Sequence, residues 1–126
     1  MYIDLLTRLK NAQAVKKENI KIPYSKMDEA VLQILRERHY VEDFEKRGRM
    51  PKRVLDIKLR YDNGVGVIQG VKFLSTPSRR LFAGVRELKP VKHGYGLLVV
   101  STPKGVIAGD AARRFKVGGQ LLFEIW

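Results

Sequence analysis

Near the N-terminus the apolar residues recur at helical spacing. Leu5, Leu6, Leu9 and Ala12 share one face and Arg8, Lys10 and Asn11 lie around the rest, which predicts a helix over residues 3–14. A period of two takes over at residues 19–24, where Ile20 and Ile22 alternate with polar neighbours and Pro23 closes a short strand. The clearest helix follows. Ser25 with Asp28 three residues on is an N-terminal capping pattern, and Met27, Ala30, Val31, Ile34 and Leu35 keep helical spacing. Arg36, Arg38 and His39 come at its end, where positive charge favours the negative pole of the helix dipole. Residues 40–46 and 54–61 read as strands. In the second, Leu55, Ile57, Leu59 and Tyr61 alternate with Val54, Asp56, Lys58 and Arg60. Between them, Lys46-Arg47-Gly48-Arg49-Met50-Pro51-Lys52-Arg53 makes a basic hairpin loop.

Asp62-Asn63-Gly64 is a turn signal, taken as a domain boundary. Beyond it the pattern predicts strands at 67–74, 97–101 and 106–107, a short helix from Asp110 to about Arg114, and a closing strand from Leu121 to Trp126. The expected fold is therefore α/β of the α+β kind, in two small domains. Residues 1–63 form a helix–strand–helix–strand–strand unit, and residues 64–126 form a mainly β unit with one short helix.

Composition narrows the function. The chain has 126 residues, 44% of them hydrophobic, which suffices for a packed core. Lys and Arg number 25 against 13 Asp and Glu, a formal net charge of +12. Such an excess points to a polyanionic partner, and nucleic acid fits better than a membrane surface because no long basic amphipathic helix is present. There are 15 basic and 10 acidic residues before position 69, and 10 and 3 after it. The second half is the more one-sided, so most phosphate contact is expected there. The absence of cysteine excludes disulfides and thiolate zinc sites. No metal, cofactor or small-molecule substrate is expected. The N-terminus has no leader pattern and no apolar run is long enough to span a bilayer, which fits a cytoplasmic location, with an organelle left open.

The most informative loop is Ser101-Thr102-Pro103-Lys104-Gly105. Hydroxyls can bond phosphate oxygens, 2′-hydroxyls or base edges, a lysine tracks the backbone, and a glycine lets the chain approach a ligand closely. Ordinary hairpin chemistry would produce the same string. The Gly-x-x-x-x-Gly-Lys spacing of a P-loop is missing. Arg113 and Arg114, with Lys116, close the short helix, and Arg79 and Arg80 follow Thr76-Pro77-Ser78; each cluster reads either as phosphate contact or as a solvated face. Gly118-Gly119 suggests close backbone packing before the last strand. Phe82 and Tyr95 could stack on a base, but burial is the expectation for both, and Phe123 and Trp126 read as core. His39 and His93 lack metal-site spacing. A hydrolase built on Ser101, His93 and Asp110 can be drawn, but no nucleophile-elbow motif supports it, so no catalytic residue is assigned.

The blocks together resemble the bacterial-type small-subunit ribosomal protein family number eight. They are Leu6-Thr7-Arg8-Leu9-Lys10-Asn11-Ala12, Pro23-Tyr24-Ser25-Lys26, Ser75-Thr76-Pro77, Gly94-Tyr95-Gly96-Leu97, Ser101 to Val106, Ala111-Ala112-Arg113-Arg114 and Gly118-Gly119-Gln120. The resemblance implies two small α/β domains and direct binding to the central domain of small-subunit rRNA, beside neighbouring small-subunit proteins. It also implies that mRNA of its own operon is a candidate partner, through translational repression. By motif position, the implied contacts are Ser101, Thr102, Lys104 and Gly105 beside Gly118, Gly119 and Gln120, with Arg8, Asn11, Ser25 and Lys26 on an N-terminal surface. Three positions depart from the family pattern: Pro103 stands where a serine is usual, Gln120 for a glutamate and Ser78 for a glycine. A free RNA-binding regulator remains the alternative, since the same surface would read an mRNA mimic.

Overall fold

The structure, a computed structural model, describes residues 2–76, 78–88 and 96–126. Pro77, His93, Gly94 and Tyr95, which the sequence motifs include, lie outside the described residues. The chain is a mixture of helices and antiparallel sheets, as the sequence predicts. It divides into two compact units, the first ending at Ile68 and the second covering Gln69–Trp126.

The first unit begins with helix α1 (Tyr2–Ala14), whose Leu5, Leu6, Leu9 and Ala12 are all buried. Strand β1 (Asn19–Pro23) follows, then helix α2 (Lys26–Glu37). Ser25 caps α2: its backbone is extended and its hydroxyl accepts a hydrogen bond from the Asp28 amide at 3.1 Å. Removing that hydroxyl strands an amide in the first turn, so Ser25→Ala is expected to lower stability by about 1 kcal/mol in a denaturant titration. Strands β2 (Val41–Arg47) and β3 (Val54–Leu59) complete an antiparallel sheet in the order β1-β3-β2. Leu55 and Ile57 of central β3 are fully buried, beside Val31, Leu32 and Leu35 in the core. Leu32, absent from the sequence pattern, is part of the α2 core face.

The predicted strand 54–61 is in fact broken at Arg60. Tyr61–Asp62 (β4) pairs instead with Val65–Gly66 (β5), turning through Asn63 and Gly64, both at positive φ (53° and 78°). That is the Asn-Gly hairpin turn the sequence announces, but it closes a hairpin inside the first unit. The chain leaves that unit five residues later, at Ile68.

In the second unit, β10 (Gly119–Ile125) is central. On one side it pairs with β8 (Leu97–Thr102), which continues as a hairpin into β9 (Gly105–Ala108). On the other it pairs with two short strands in succession, β6 (Val71–Phe73) and β7 (Leu81–Ala83). The predicted strand 67–74 is trimmed to β6 because the Gln69 and Gly70 amides both turn to the Trp126 carbonyl, at 2.7 and 3.1 Å. Ser75 joins β6 to β7: its buried hydroxyl accepts from the Leu81 amide at 2.9 Å and donates to the Leu121 carbonyl. Helix α3 (Gly109–Arg114) packs on β8 and β9, with Ala112 fully buried against Leu98, Val100 and Leu88. Phe123 is fully buried and Trp126 packs partly buried on the same cluster.

Candidate nucleic-acid interface

Strand register builds the site. Gln120 of β10 lies opposite Ser101 of β8 on one side and Phe82 of β7 on the other, and Ser101 lies opposite Val106 of β9. Directly opposed residues share a face. Phe82, Gln120, Ser101 and Val106 therefore form one row across four strands. The next row, Leu81, Leu121, Val100 and Ile107, faces the other way, toward the core under α3.

A groove of about 610 Å³ runs along this face. Ser101, Thr102 and Pro103 line one wall, Phe82, Ala83 and Gly84 the other, and Gly118, Gly119 and Gln120 the floor. The glycines are dictated by space. A Cβ on Gly119 would lie 2.1 Å from the Ser101 carbonyl oxygen, and one on Gly118 would lie 2.4 Å from that of Ala83. Side chains at either position would push the neighbouring strands apart.

The two hydroxyls of the hairpin have different work. Thr102 Oγ1 donates to the Gly105 carbonyl at 2.9 Å and accepts the Lys104 amide at 3.1 Å, so it organises the turn. Gly105 sits at φ 107°, a conformation that favours glycine. Ser101 makes no side-chain hydrogen bond among the described residues and is half-buried beside the groove, which leaves its hydroxyl available to a ligand.

Basic charge gathers at the hairpin tip and the end of α3. Lys104 lies over the Phe115 ring at 5.1 Å from its centroid, which joins the hairpin tip to the end of α3. Arg113 and Arg114 occupy the last turn of that helix, exposed and without a carboxylate partner among the described residues. Arg79 is exposed in the tight Thr76–Arg79 turn, held by paired backbone bonds of 2.8 and 3.1 Å, and does not line the groove.

Of the residues implied by motif, Ser101, Thr102, Gly118, Gly119 and Gln120 meet in one groove, with Lys104 and Gly105 at the hairpin tip beside it; Arg113 and Arg114 end α3, which packs on the other face of the sheet, and do not line the groove. Arg8, Asn11, Ser25 and Lys26 belong to the first unit. There Arg8 and Asn11 line a separate groove with Lys17 and Lys21, and Arg8 is 3.1 Å from the Asp4 carboxylate. Ser25 is engaged as the α2 cap and Lys26 is exposed beside it. Many other cations of this unit are committed internally. Arg36 bridges Asp43 at 3.2 Å and covers the Phe44 ring, while the Phe44 amide and Arg36 together hold the Asp43 carboxyl below the usual carboxylate range.

One expectation is overturned. Phe82 is 69% exposed, not buried. Its neighbours Leu81 and Ala83 take the inward positions of β7, so alternation turns Phe82 out beside Ser101 and Gln120. Phe115, at 56% exposure, is a second outward aromatic at this margin that the sequence reading does not single out. Its position directly after Arg113-Arg114 is the only sequence signal for it.

A family profile described as Ribosomal protein S8 matches residues 2–126. Among curated relatives, the small ribosomal subunit protein uS8 of Mycoplasma mobile is 39% identical over 123 residues, covering 98% of this chain and 92% of that one. That of Nautilia profundicola is 42% identical over 124 residues, covering 98% and 95%. That of Nitratidesulfovibrio vulgaris is 38% identical over 123 residues, covering 98% and 94%.

Proposed function

Because the chain belongs to the ribosomal protein S8 family, we propose that it is a structural constituent of the small ribosomal subunit that binds small-subunit rRNA directly and helps the subunit assemble. The reading assigns it no reaction. Its partners are the central domain of the rRNA and neighbouring small-subunit proteins, in the cytoplasm.

The observation that carries the RNA reading is the row Phe82–Gln120–Ser101 along a groove with Lys104 at the adjoining hairpin tip, whose contact with Phe115 joins that tip to the end of α3 carrying Arg113 and Arg114. An exposed ring offers a stacking face to an unstacked base, a free hydroxyl and an amide offer hydrogen bonds to base edges or 2′-hydroxyls, and unpaired cations hold phosphates. This suits irregular RNA, whose bases are splayed out, better than plain duplex. Gln120 in place of the family's glutamate keeps the hydrogen-bonding reach while removing a negative charge from the RNA face. A surface that reads shape and backbone in this way would also accept an mRNA segment folded like the rRNA site, the basis for repression of its own operon.

Incubation of the purified chain with protein-free small-subunit rRNA, followed by sedimentation and chemical footprinting, tests the proposal. One protected patch in the central domain, at sub-micromolar protein, is the expected result. Protection scattered over the rRNA, or absence from isolated small subunits, would favour the free regulator.

A further inference from the structure

Three asparagines occur in the chain, and the fold leaves one of them open to reaction with its own backbone. Asn11 lies in α1 before buried Ala12, and Asn19 lies in β1 before Ile20, with its amide nitrogen 3.5 Å from the Asp56 carboxylate. Asn63 lies at the tip of the β4–β5 hairpin, directly before Gly64. Both tip residues are exposed, and a Cβ built on Gly64 would meet nothing within 4 Å. Neither the Asn63 carboxamide nor the Gly64 amide makes a hydrogen bond among the described residues. Gln69-Gly70 is the contrast: there both amides are tied to the Trp126 carbonyl, and a Cβ on Gly70 would collide with the indole.

The hairpin is pinned at its base and open at its tip. The Tyr61 hydroxyl donates to the Lys17 carbonyl at 2.6 Å. The Gln13 carboxamide brackets Ile68, donating to its carbonyl at 2.7 Å and accepting from its amide at 3.0 Å. Gly66 lies against the Gln13 side chain, where a Cβ would overlap it. Between these anchors the strands share two residue pairs, Tyr61 with Gly66 and Asp62 with Val65. A two-residue turn at positive φ joins them, and its geometry leaves no room for an added backbone atom.

We propose that Asn63-Gly64 is a self-modification site: the asparagine converts to aspartate and isoaspartate, and the isoaspartate form opens the β4–β5 hairpin. The Gly64 nitrogen gives its proton to solvent base and attacks Asn63 Cγ. A C–N bond forms, the Cγ–Nδ2 bond breaks, and the side-chain nitrogen takes a proton from solvent and leaves as ammonia. Water then opens the cyclic imide. Hydrolysis at Cγ gives aspartate on an ordinary backbone; hydrolysis at the Asn63 backbone carbonyl gives isoaspartate. A side chain at residue 64 would crowd the attacking nitrogen, and glycine has none. In the isoaspartate form the main chain runs through Cβ and Cγ, one carbon longer, and a new carboxylate stands beside Asp62. So short a ladder cannot absorb that carbon, while the Gln13 bracket keeps the disturbance local. The inference is independent of the RNA reading.

The test holds the full chain folded in warm, mildly alkaline buffer, then digests it for mass spectrometry. An isoaspartyl-specific carboxyl methyltransferase with its methyl donor is the probe for isoaspartate. Amide loss should concentrate at residue 63 and quicken with pH, while Asn11, Asn19 and Gln69 stay intact over the same time. Asn63→Gly, which suits positive φ but has no carboxamide, should accept no methyl groups. Hydrogen exchange over residues 61–67 should quicken in the isoaspartate form. It should not do so in fresh Asn63→Asp, which adds the charge without lengthening the backbone. Exchange in the β1-β3-β2 sheet should be unchanged in both. Conversion no faster than at Asn11 or Asn19, or conversion only after unfolding in urea, overturns the proposal. Isoaspartate formed with hairpin exchange unchanged overturns the opening of the hairpin.

Discussion

A chain carrying Gly119→Ala is expected to lose much of the stability of its second unit, and its RNA binding with it. The added methyl carbon would sit 2.1 Å from the Ser101 carbonyl oxygen and 3.2 Å from the Thr102 Cα. Both are backbone atoms of β8, so no rotamer change relieves the overlap; β10 and β8 must part at the row that carries Ser101 and Gln120. Overpacking of well-packed sites costs roughly 1–3 kcal/mol and sometimes more, and an overlap with strand backbone belongs at or above the top of that range. For a unit of this size that is a fall of roughly 10 °C or more in Tm. Gly118→Ala should behave alike, because its Cβ would lie 2.4 Å from the Ala83 carbonyl oxygen on β7. Gly84→Ala is the control: its nearest neighbour would be a flexible Glu87 carboxylate oxygen at 3.5 Å, so its melting should be nearly unchanged. Calorimetric melting of the three variants decides the matter. If Gly119→Ala melted within a degree or two of the parent, the strands could not be packed as closely as described.

The same glycines show what could be read from the chain before its structure was known. Close backbone packing near Gly118-Gly119 is legible only as one of two readings, since a glycine pair before an apolar strand suits a plain turn as well, and nothing in the string says that the obstacles are Ala83 and Ser101. Long periodic elements were more legible. The Leu5, Leu6, Leu9, Ala12 stripe and the Ser25–Asp28 cap are local signals, and local physics satisfies them. Helix ends were less visible. The chain leaves α1, α2 and α3 each through a residue other than glycine in the left-handed region: Lys16, His39 and Lys116, at φ 56°, 65° and 56°. The amide two positions past each C-cap reaches back five residues, as in Tyr40 to Leu35 at 2.8 Å and Val117 to Ala112 at 3.0 Å. Without a glycine the sequence does not advertise that exit. The two short strands beside β10 were hardest. β7 is three residues long and β6 is cut short by the Trp126 carbonyl, so both owe their extent to a partner about forty to fifty residues away in the chain. Phe82 was misjudged in consequence, since its side depends on a strand that local pattern does not reveal. For the groove, residue types were legible from Ser101 to Gly105, but the division of work between hydroxyls was not, because Ser101 and Thr102 differ only in what the folded hairpin offers each.

That division leads to the second large effect, a split between specificity and bulk affinity. Ser101→Ala should leave the protein's Tm unchanged, since its hydroxyl bonds nothing within the described chain. Its RNA partner, however, would be left buried and unpaired, which costs on the order of 1–3 kcal/mol, or roughly 5- to 150-fold in Kd. The loss should fall on the cognate irregular rRNA helix and spare the weak background binding to plain duplex. Lys104→Ala should do the opposite. An exposed lysine reaching phosphate acts on any RNA, so both affinities should fall together and the salt slope should drop by about one. The loss for Lys104 includes its hold on Phe115, which keeps the hairpin tip near Arg113 and Arg114; Lys104→Arg, which can cover the same ring, should restore most of the binding. Salt titrations of both RNAs against the parent, Ser101→Ala and Lys104→Ala separate the two roles. Equal losses on both RNAs for Ser101→Ala would mean that the groove row holds RNA without recognising its shape, and that recognition lies elsewhere on the chain.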